Sequence, residues 1–341
     1  MSVDENVVSA HANLASEVKP VKGGGSYSAS GTTRGERGSQ RSITDELESG
    51  QIIAAFGRQY LVRLDDGSEI ACLTRGKKSG AACGDVVEIK RTAHASAGDG
   101  AGAQGVIERI APRRSLLHRS DAYREKLIAA NVTQIIVVVA AEPSFSDELL
   151  ARCLVAAFDQ KLDVLIVLNK CDLPAPAAAA RKRLAPYTAI GYRVLELSAK
   201  QDVSALRPFL TGHTSVLVGQ SGMGKSTLIN ALLPGAQAAT REISTVLDSG
   251  KHTTTHARLY RIDANSSLID CPGVQAFGLH HLSFGGIEQG FVEFADYLGQ
   301  CRFHDCRHSH EPGCALRNAV TEGKIDARRL ELFRQIAKYK S

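Results

Sequence analysis

The sequence predicts a multidomain chain: an N-terminal β-barrel of OB type, a central α/β domain and a C-terminal, mostly helical segment. Three observations carry this. Short β-rich runs separated by Gly-containing turns follow Gly50, long apolar runs alternate with helical segments after Arg119, and three cysteines crowd together near the C-terminus. At 341 residues the chain exceeds the roughly 100–200 residues of one ordinary domain.

Composition narrows the class. With 43% hydrophobic and 23% charged residues the chain is near average globular usage and can bury a core. No apolar run approaches the ~20 residues that span a bilayer, and the N-terminus lacks the basic-then-apolar signature of a secretory signal. A cytoplasmic protein is expected. The net charge of +5 suits an anionic partner without selecting one.

Residues 1–47 read as a flexible tail, because they contain Gly23-Gly24-Gly25 and show no hydrophobic period that could offset their ordering entropy. Within 48–113, runs at 51–56, 59–64, 69–73, 85–90 and 106–110 read as five strands, with the Ala- and Gly-rich stretch 93–105 as a long loop. Five short strands in about 65 residues fit an OB-like barrel, with an SH3-like barrel as the rival. Across 114–282, the apolar runs 134–140, 164–168, 193–197 and 215–218 resemble parallel strands buried on both faces. Residues 147–159 and 226–233 read as intervening helices, and 174–180 as a loop or a helix start. The last section, 283–341, is helical in pattern and too small for a large core, so a metal would explain how it folds. It ends in a basic stretch carrying Arg328, Arg329, Arg334, Lys338 and Lys340.

The strand 215–218 runs into Gly219-Gln220-Ser221-Gly222-Met223-Gly224-Lys225-Ser226, which matches G-x-x-x-x-G-K-[ST] and continues as a helix through Thr227. That strand, loop and helix context is what a phosphate-binding loop requires. Glycines let backbone N–H groups turn toward phosphate oxygens, the helix N-terminus adds partial positive charge, and Lys225 adds a full one. Ser226 would hold Mg²⁺.

The base is read elsewhere. Guanine presents two adjacent donors, so a fixed edge-on carboxylate accepts two hydrogen bonds from it and not from adenine. Asp172, in Asn169-Lys170-Cys171-Asp172 at the end of a strand, resembles the Asp of N-K-x-D, and Ser198-Ala199-Lys200 resembles the S-A-K loop. After the P-loop, Asp270-Cys271-Pro272-Gly273 resembles D-x-x-G, whose Asp reaches Mg²⁺ through water and whose Gly N–H meets the γ-phosphate. His252-Thr253-Thr254-Thr255 resembles a first switch, with Thr254 as the Mg²⁺ ligand and either neighbour as an alternative. Base-recognition motifs precede the P-loop and switches follow it, so the order is circularly permuted.

Cys301, Cys306, His308 and Cys314 form C-x₄-C-x-H-x₅-C, a tetrahedral zinc set with no open position, hence structural. Of eight cysteines these are the clustered ones, which favours metal over disulfides. His304, His310 and His256 are substitutes in the count.

Barrel, permuted GTPase motifs and Cys-Cys-His-Cys segment together resemble the ribosome small subunit-dependent GTPase A (RsgA/YjeQ) family, over about 290 residues from Gly50. Glu311-Pro312-Gly313-Cys314-Ala315 and Asp270-Cys271-Pro272-Gly273-Val274 are among its telling pieces. The resemblance implies a bacterial factor that binds the small ribosomal subunit late in maturation, hydrolyses GTP to GDP in response to it, and departs. It implies rRNA contacts by the barrel and the zinc segment. Departures are an Ala/Gly-rich barrel insertion at 96–103 and a tail low in basic residues.

GTP would lie with its phosphates on Gly219 to Thr227 and its base against Asn169 and Asp172. Val274 stands where many GTPases carry a water-orienting Gln, so His252 is the candidate for that task, with Lys225 and Thr254 as the other catalytic residues. On the barrel Arg75, Lys77 and Lys78, and Arg113 with Arg114, are candidate RNA contacts, as is the basic C-terminal stretch. Rivals are an ATPase or nucleotide kinase on the same loop, a nucleic-acid-binding module with a structural nucleotide, and a metal-dependent hydrolase. Nothing marks a dimer seam, so a monomer is expected.

Overall fold

The computed structural model describes residues 46–75, 80–92, 104–121, 124–236, 257–271 and 278–338. Five strands open the described chain: β1 (Glu48–Phe56), β2 (Gln59–Leu64), β3 (Glu69–Thr74), β4 (Val86–Arg91) and β5 (Gly105–Ile110). They pair in the order β1-β2-β3-β5-β4, and β4 returns to β1, closing a barrel in which only β3 and β5 run parallel. That is the OB arrangement and not the SH3-like one. Period-two alternation supplies its interior, with Ile52, Tyr60, Val62, Ile70, Val87 and Ile89 at 2% exposure or less. At its base the fully buried Asp85 accepts from Ala82 N at 2.7 Å and pairs with Arg113 at 2.7 Å, so its charge is matched rather than stranded.

A hairpin, β6 (Leu116–Asp121) and β7 (Arg124–Ala130), follows as a separate two-stranded sheet. The central domain is built on β8 (Gln134–Ala140), β9 (Asp163–Asn169), β10 (Arg193–Glu196), β11 (Thr214–Val218) and β13 (Ser267–Asp270), parallel in the order β10-β9-β8-β11-β13. Every residue of β8 is buried, as expected of a strand covered on both faces. The buried polar pair at the start of β8 and β11 is satisfied internally, the Ser215 hydroxyl donating to Gln134 Oε1 at 2.9 Å.

Helices α1 (Asp147–Asp159), α2 (Pro174–Ala189), the single turn α3 (Arg207–Leu210) and α4 (Lys225–Leu232) connect these strands. Ser146 caps α1, its hydroxyl accepting from Leu149 N at 3.2 Å. The segment read as a loop or helix start is a sixteen-residue helix, with proline in its first turn where no intrahelical N–H is needed.

β12 (Arg258–Arg261) runs antiparallel to β13 and on its other side meets β1, Ala54 opposite Arg258. Barrel and central domain therefore share one eleven-stranded sheet. Beyond it lie α5 (Phe284–Gln289), a 3₁₀ turn over Val292–Tyr297, α6 (Ala315–Thr321) and α7 (Ala327–Ala337). Phe291, Phe294 and Phe333 are fully buried, with ring centroids 5.1–5.5 Å apart, and form the small core of this region. No helix among the described residues is long and apolar enough to cross a membrane.

Candidate active site and metal centre

Four motifs lie on loops at the C-terminal ends of parallel strands. Asn169 ends β9, Ser198 follows β10, Gly219 follows β11 and Asp270 ends β13. Because these strands are parallel, their loops emerge on one edge of the sheet, where open α/β folds bind ligands. They enclose a cavity of about 900 Å³ lined by Lys170, Asp172, Ala199, Gly224, Lys225, Ser226 and Asp270, among others. That is within the 300–1,000 Å³ range of small-molecule sites.

The phosphate loop needs glycine at two close approaches. Gly219 has φ 148°, and a Cβ there would lie 2.2 Å from Val138 O; Gly224 has φ 88°, and a Cβ there would lie 2.3 Å from Asn169 Nδ2. Lys225 opens α4 and donates from Nζ to Gly219 O at 2.6 Å and Gln220 O at 2.8 Å. Ser226 and Thr227 are exposed on the first turn of the same helix. Gln220 Oε1 accepts from Ser146 N at 2.7 Å, and Met223 is buried under the loop. Burial lowers the Lys225 ammonium from its ordinary 10.5, with Asp270 opposing the shift. Burial likewise raises Asp270 above 3.8, with Lys225 opposing.

Sequence reasoning set Asn169 against the base. The structure draws its side chain inward, at 1% exposure: Nδ2 donates to Met223 O at 2.9 Å, and Oδ1 accepts from Lys170 N at 2.8 Å and Ala199 N at 2.9 Å. One amide thus ties the P-loop, the N-K-C-D loop and the S-A-K loop together. Asp172 remains exposed, and its carboxyl is held below 3.8 by the Ser198 hydroxyl and, more weakly, by Lys200 and Lys170. It is therefore an ionised acceptor near neutral pH.

His252, Thr254, Gly273, Val274 and the spare His256 lie outside the described residues. Glu142 and Pro143, which line the cavity beside the P-loop, were not anticipated, and no motif marks them. Their position just after the end of β8 is the only signal in the chain.

At the second site the ligand atoms of Cys301, Cys306, His308 and Cys314 all lie within 4.8 Å of one another. His308 Nδ1 stands 3.5 Å from Cys301 Sγ and 3.4 Å from Cys314 Sγ. Three soft thiols and an imidazole around one point fit a closed tetrahedral zinc site. His308 Nε2 is 2.5 Å from Glu288 Oε1, a carboxylate partner that orients the ring and that no motif in the chain marks. The Glu311 carboxylate accepts from Arg307 N, Ser309 N and His310 N at 2.8–3.0 Å; burial opposes, but these bonds pull its carboxyl down to about 2. His304 and His310 are outside the cluster.

The structure withdraws Arg329 from the expected basic RNA face of the C-terminal helix and ties two of its neighbours to other elements. Arg329 is 3% exposed, pairs with Glu293 at 2.5 Å and lies 4.5 Å over the Phe291 ring. Arg334 donates to His308 O and Ser309 O, bracing the metal loop, and Arg328 pairs with Asp147. Sequence shows the positive charges of this stretch but not their distant acceptors. Lys340 lies outside the described residues. On the barrel, Arg75 pairs with Glu108 at 2.8 Å and Arg113 with Asp85, while Lys77 and Lys78 lie outside the described residues.

Fold and site define a P-loop GTPase whose motifs run in permuted order beside a Cys₃His cluster. A family model described as RsgA GTPase matches residues 110–280. The chain is 57% identical over 295 residues to the small ribosomal subunit biogenesis GTPase RsgA of Nitrosospira multiformis, covering 86% of this chain and 92% of that protein. It is 50% identical to the Nitrosomonas europaea protein of the same name, covering 88% and 94%. Among solved structures, YjeQ from Thermotoga maritima aligns with a TM-score of 0.63 at 28% identity, covering 85% of this chain and 97% of that one. YloQ, described as a circularly permuted GTPase, aligns at 0.60 and 25% identity, covering 88% and 97%. The chain belongs to the RsgA family of small ribosomal subunit biogenesis GTPases.

Proposed function

We propose that this chain binds the small ribosomal subunit late in its maturation and hydrolyses GTP in response to it. The observation that carries the nucleotide half is the convergence of Asp172, Lys225 and Asp270 on one cavity at the edge of the parallel sheet. The ribosomal half is supported by relatives named small ribosomal subunit biogenesis GTPase at 50–57% identity.

In this reading backbone N–H groups of Gly219 to Ser226 and the Lys225 ammonium take the phosphates. Asp172 takes the guanine edge, with Ser198, Ala199 and Lys170 shaping the pocket around it. Asn169 acts from behind, by holding the three loops in register. Ser226 and Asp270, with Thr254, would hold Mg²⁺, which offsets charge on the β- and γ-phosphates when bound. His252 orients the attacking water, and Gly273 contacts the γ-phosphate. Cys301, Cys306, His308 and Cys314 hold one structural Zn²⁺. Barrel and C-terminal region face rRNA, and the chain works as a cytoplasmic monomer.

The test is GTP hydrolysis by the purified chain, with ATP as control, alone and with added small or large subunits. GTP-selective stimulation by small subunits alone is the expected result. Equal rates throughout would remove the ribosomal assignment and leave the nucleotide site.

A further inference from the structure

The segment joining β8 to α1, residues 141–146, lies directly on the phosphate loop. A Cβ on Gly222 would sit 3.3 Å from Pro143 Cγ, and Ser146 N donates to Gln220 Oε1 at 2.7 Å. Its position is fixed from the other side by Asp147, the first residue of α1, which is 5% exposed. The Asp147 carboxylate is shared between two helices: Oδ1 is 2.9 Å from Arg183 on α2, and Oδ2 is 2.5 Å from Arg328 Nε on α7. Arg183 also donates to Ser144 Oγ at 2.5 Å and Phe145 O at 2.8 Å, and its guanidinium rests 4.0 Å over the Phe145 ring. α7 in turn holds the metal loop through Arg334 and the His308 carbonyl.

A buried carboxylate tolerates its charge only while its partners stay in place. Asp147 is adjacent to the residue whose N–H anchors Gln220, so its position and that of the P-loop are joined by one peptide unit and one hydrogen bond. We propose that Arg328 and Asp147 are positioning residues for the phosphate loop, acting through Ser146 and Gln220, so that the C-terminal helical region sets the affinity of the P-loop for GTP. This rests on the reading of residues 219–226 as the GTP phosphate site.

The experiment is a double-mutant cycle in the full chain with Arg328→Ala and Gln220→Ala, reading the dissociation constant of a fluorescent GTP analogue, KM and kcat, alongside Tm. Cycles of this kind separate a real coupling from mere proximity. Arg328 has a side chain 69% exposed, so its removal leaves the core of α7 in place. Expected are a loss of affinity of about 5-fold in each single variant, an effect on KM larger than on kcat, and no further loss in the double variant. Arg328→Lys, which keeps the charge, recovers most of the affinity. Additive losses, or unchanged affinity with lowered Tm in Arg328→Ala, would overturn the proposal while the parent still binds GTP. Failure of the parent chain itself to bind the analogue would instead remove the phosphate-site reading, and this proposal with it.

Discussion

Asn169 donates to the Met223 carbonyl, so the first residue of the base-recognition motif is bonded to the middle of the phosphate loop. The two loops are 54 residues apart in the chain, and the same amide also accepts from Ala199 N. A side chain used this way acts on three of the site's four loops at once.

Asn169→Ala leaves Lys170 N, Ala199 N and Met223 O without this partner. Each lost bond in a buried site costs on the order of 1 kcal/mol or more. GTP affinity should fall by at least about 10-fold, accompanied by a lower Tm. Isothermal titration together with thermal unfolding checks both, and unchanged affinity would show the three loops hold their register without it.

Asp172→Asn puts a donor where guanine needs an acceptor. GTP binding should weaken by roughly 10- to 100-fold. Xanthosine triphosphate, with a carbonyl in place of the guanine amino group, should gain affinity for the variant. Because Ser198, Lys200 and Lys170 hold the native carboxyl below 3.8, the acceptor is retained above that value and lost only as pH falls through the lowered native pKa. The base-dependent preference for GTP over ATP should therefore stay flat between pH 7 and about pH 5, as competition binding across that range would reveal.

How much of this was legible beforehand depended on local signal. Behind Gln134, the six residues Ile135 to Ala140 of β8 form an unbroken apolar run, and α1 follows a Ser cap, so both were readable from the chain. The hairpin Leu116–Asp121 with Arg124–Ala130 was missed because its central residues are polar and show no alternation. β12 has only four residues, Arg-Leu-Tyr-Arg, too short and too polar to mark a strand, and it becomes one by pairing along its whole length with β13. Motif spacing located Asp172, Lys225, Asp270 and the Cys₃His cluster as candidates, because those chemistries require fixed residue types. It was silent on Glu288, Glu142 and the acceptors of Arg328 and Arg329, which depend on tertiary contacts alone.

Asp270→Asn should raise the stability of the ligand-free chain while removing Mg²⁺-dependent hydrolysis. Burial raises the native Asp270 pKa, so this group's stabilising contribution is complete below 3.8 and is lost as pH rises through the native value. Burial lowers the native Lys225 pKa, so its contribution is present above 10.5 and lost as pH falls through the native value. Between those windows both are charged at a cost. Removing one charge should shift Tm upward by about 2 °C by calorimetry, although Lys225 then lacks its counter-charge. A fall in Tm would mean that the pairing outweighs the desolvation.

Glu288→Gln keeps the size of the side chain that orients His308 but removes its charge. Affinity for Zn²⁺ should drop by roughly 10-fold or more, read by competition with a chromogenic chelator. Stripping the metal from the parent should lower the protection of amides around Cys306 and Cys314 in hydrogen exchange. Unchanged affinity in the variant would mean that His308 is oriented without help from Glu288, and unchanged protection on stripping would mean that Glu311 and Arg334 hold the loop without the metal.

The pairing of β1 with β12 bears on the order of synthesis. Ala54 waits for Arg258, about 200 residues later, which at roughly 5–20 residues per second is a delay of about 10–40 s. During that interval the barrel has all five of its own strands, yet the half of β1 around Ala54 and Ala55 presents bare peptide groups to its surroundings. An open strand edge of that kind invites pairing with other chains. The nascent barrel thus carries a temporary adhesive seam that only the far end of the central domain can seal.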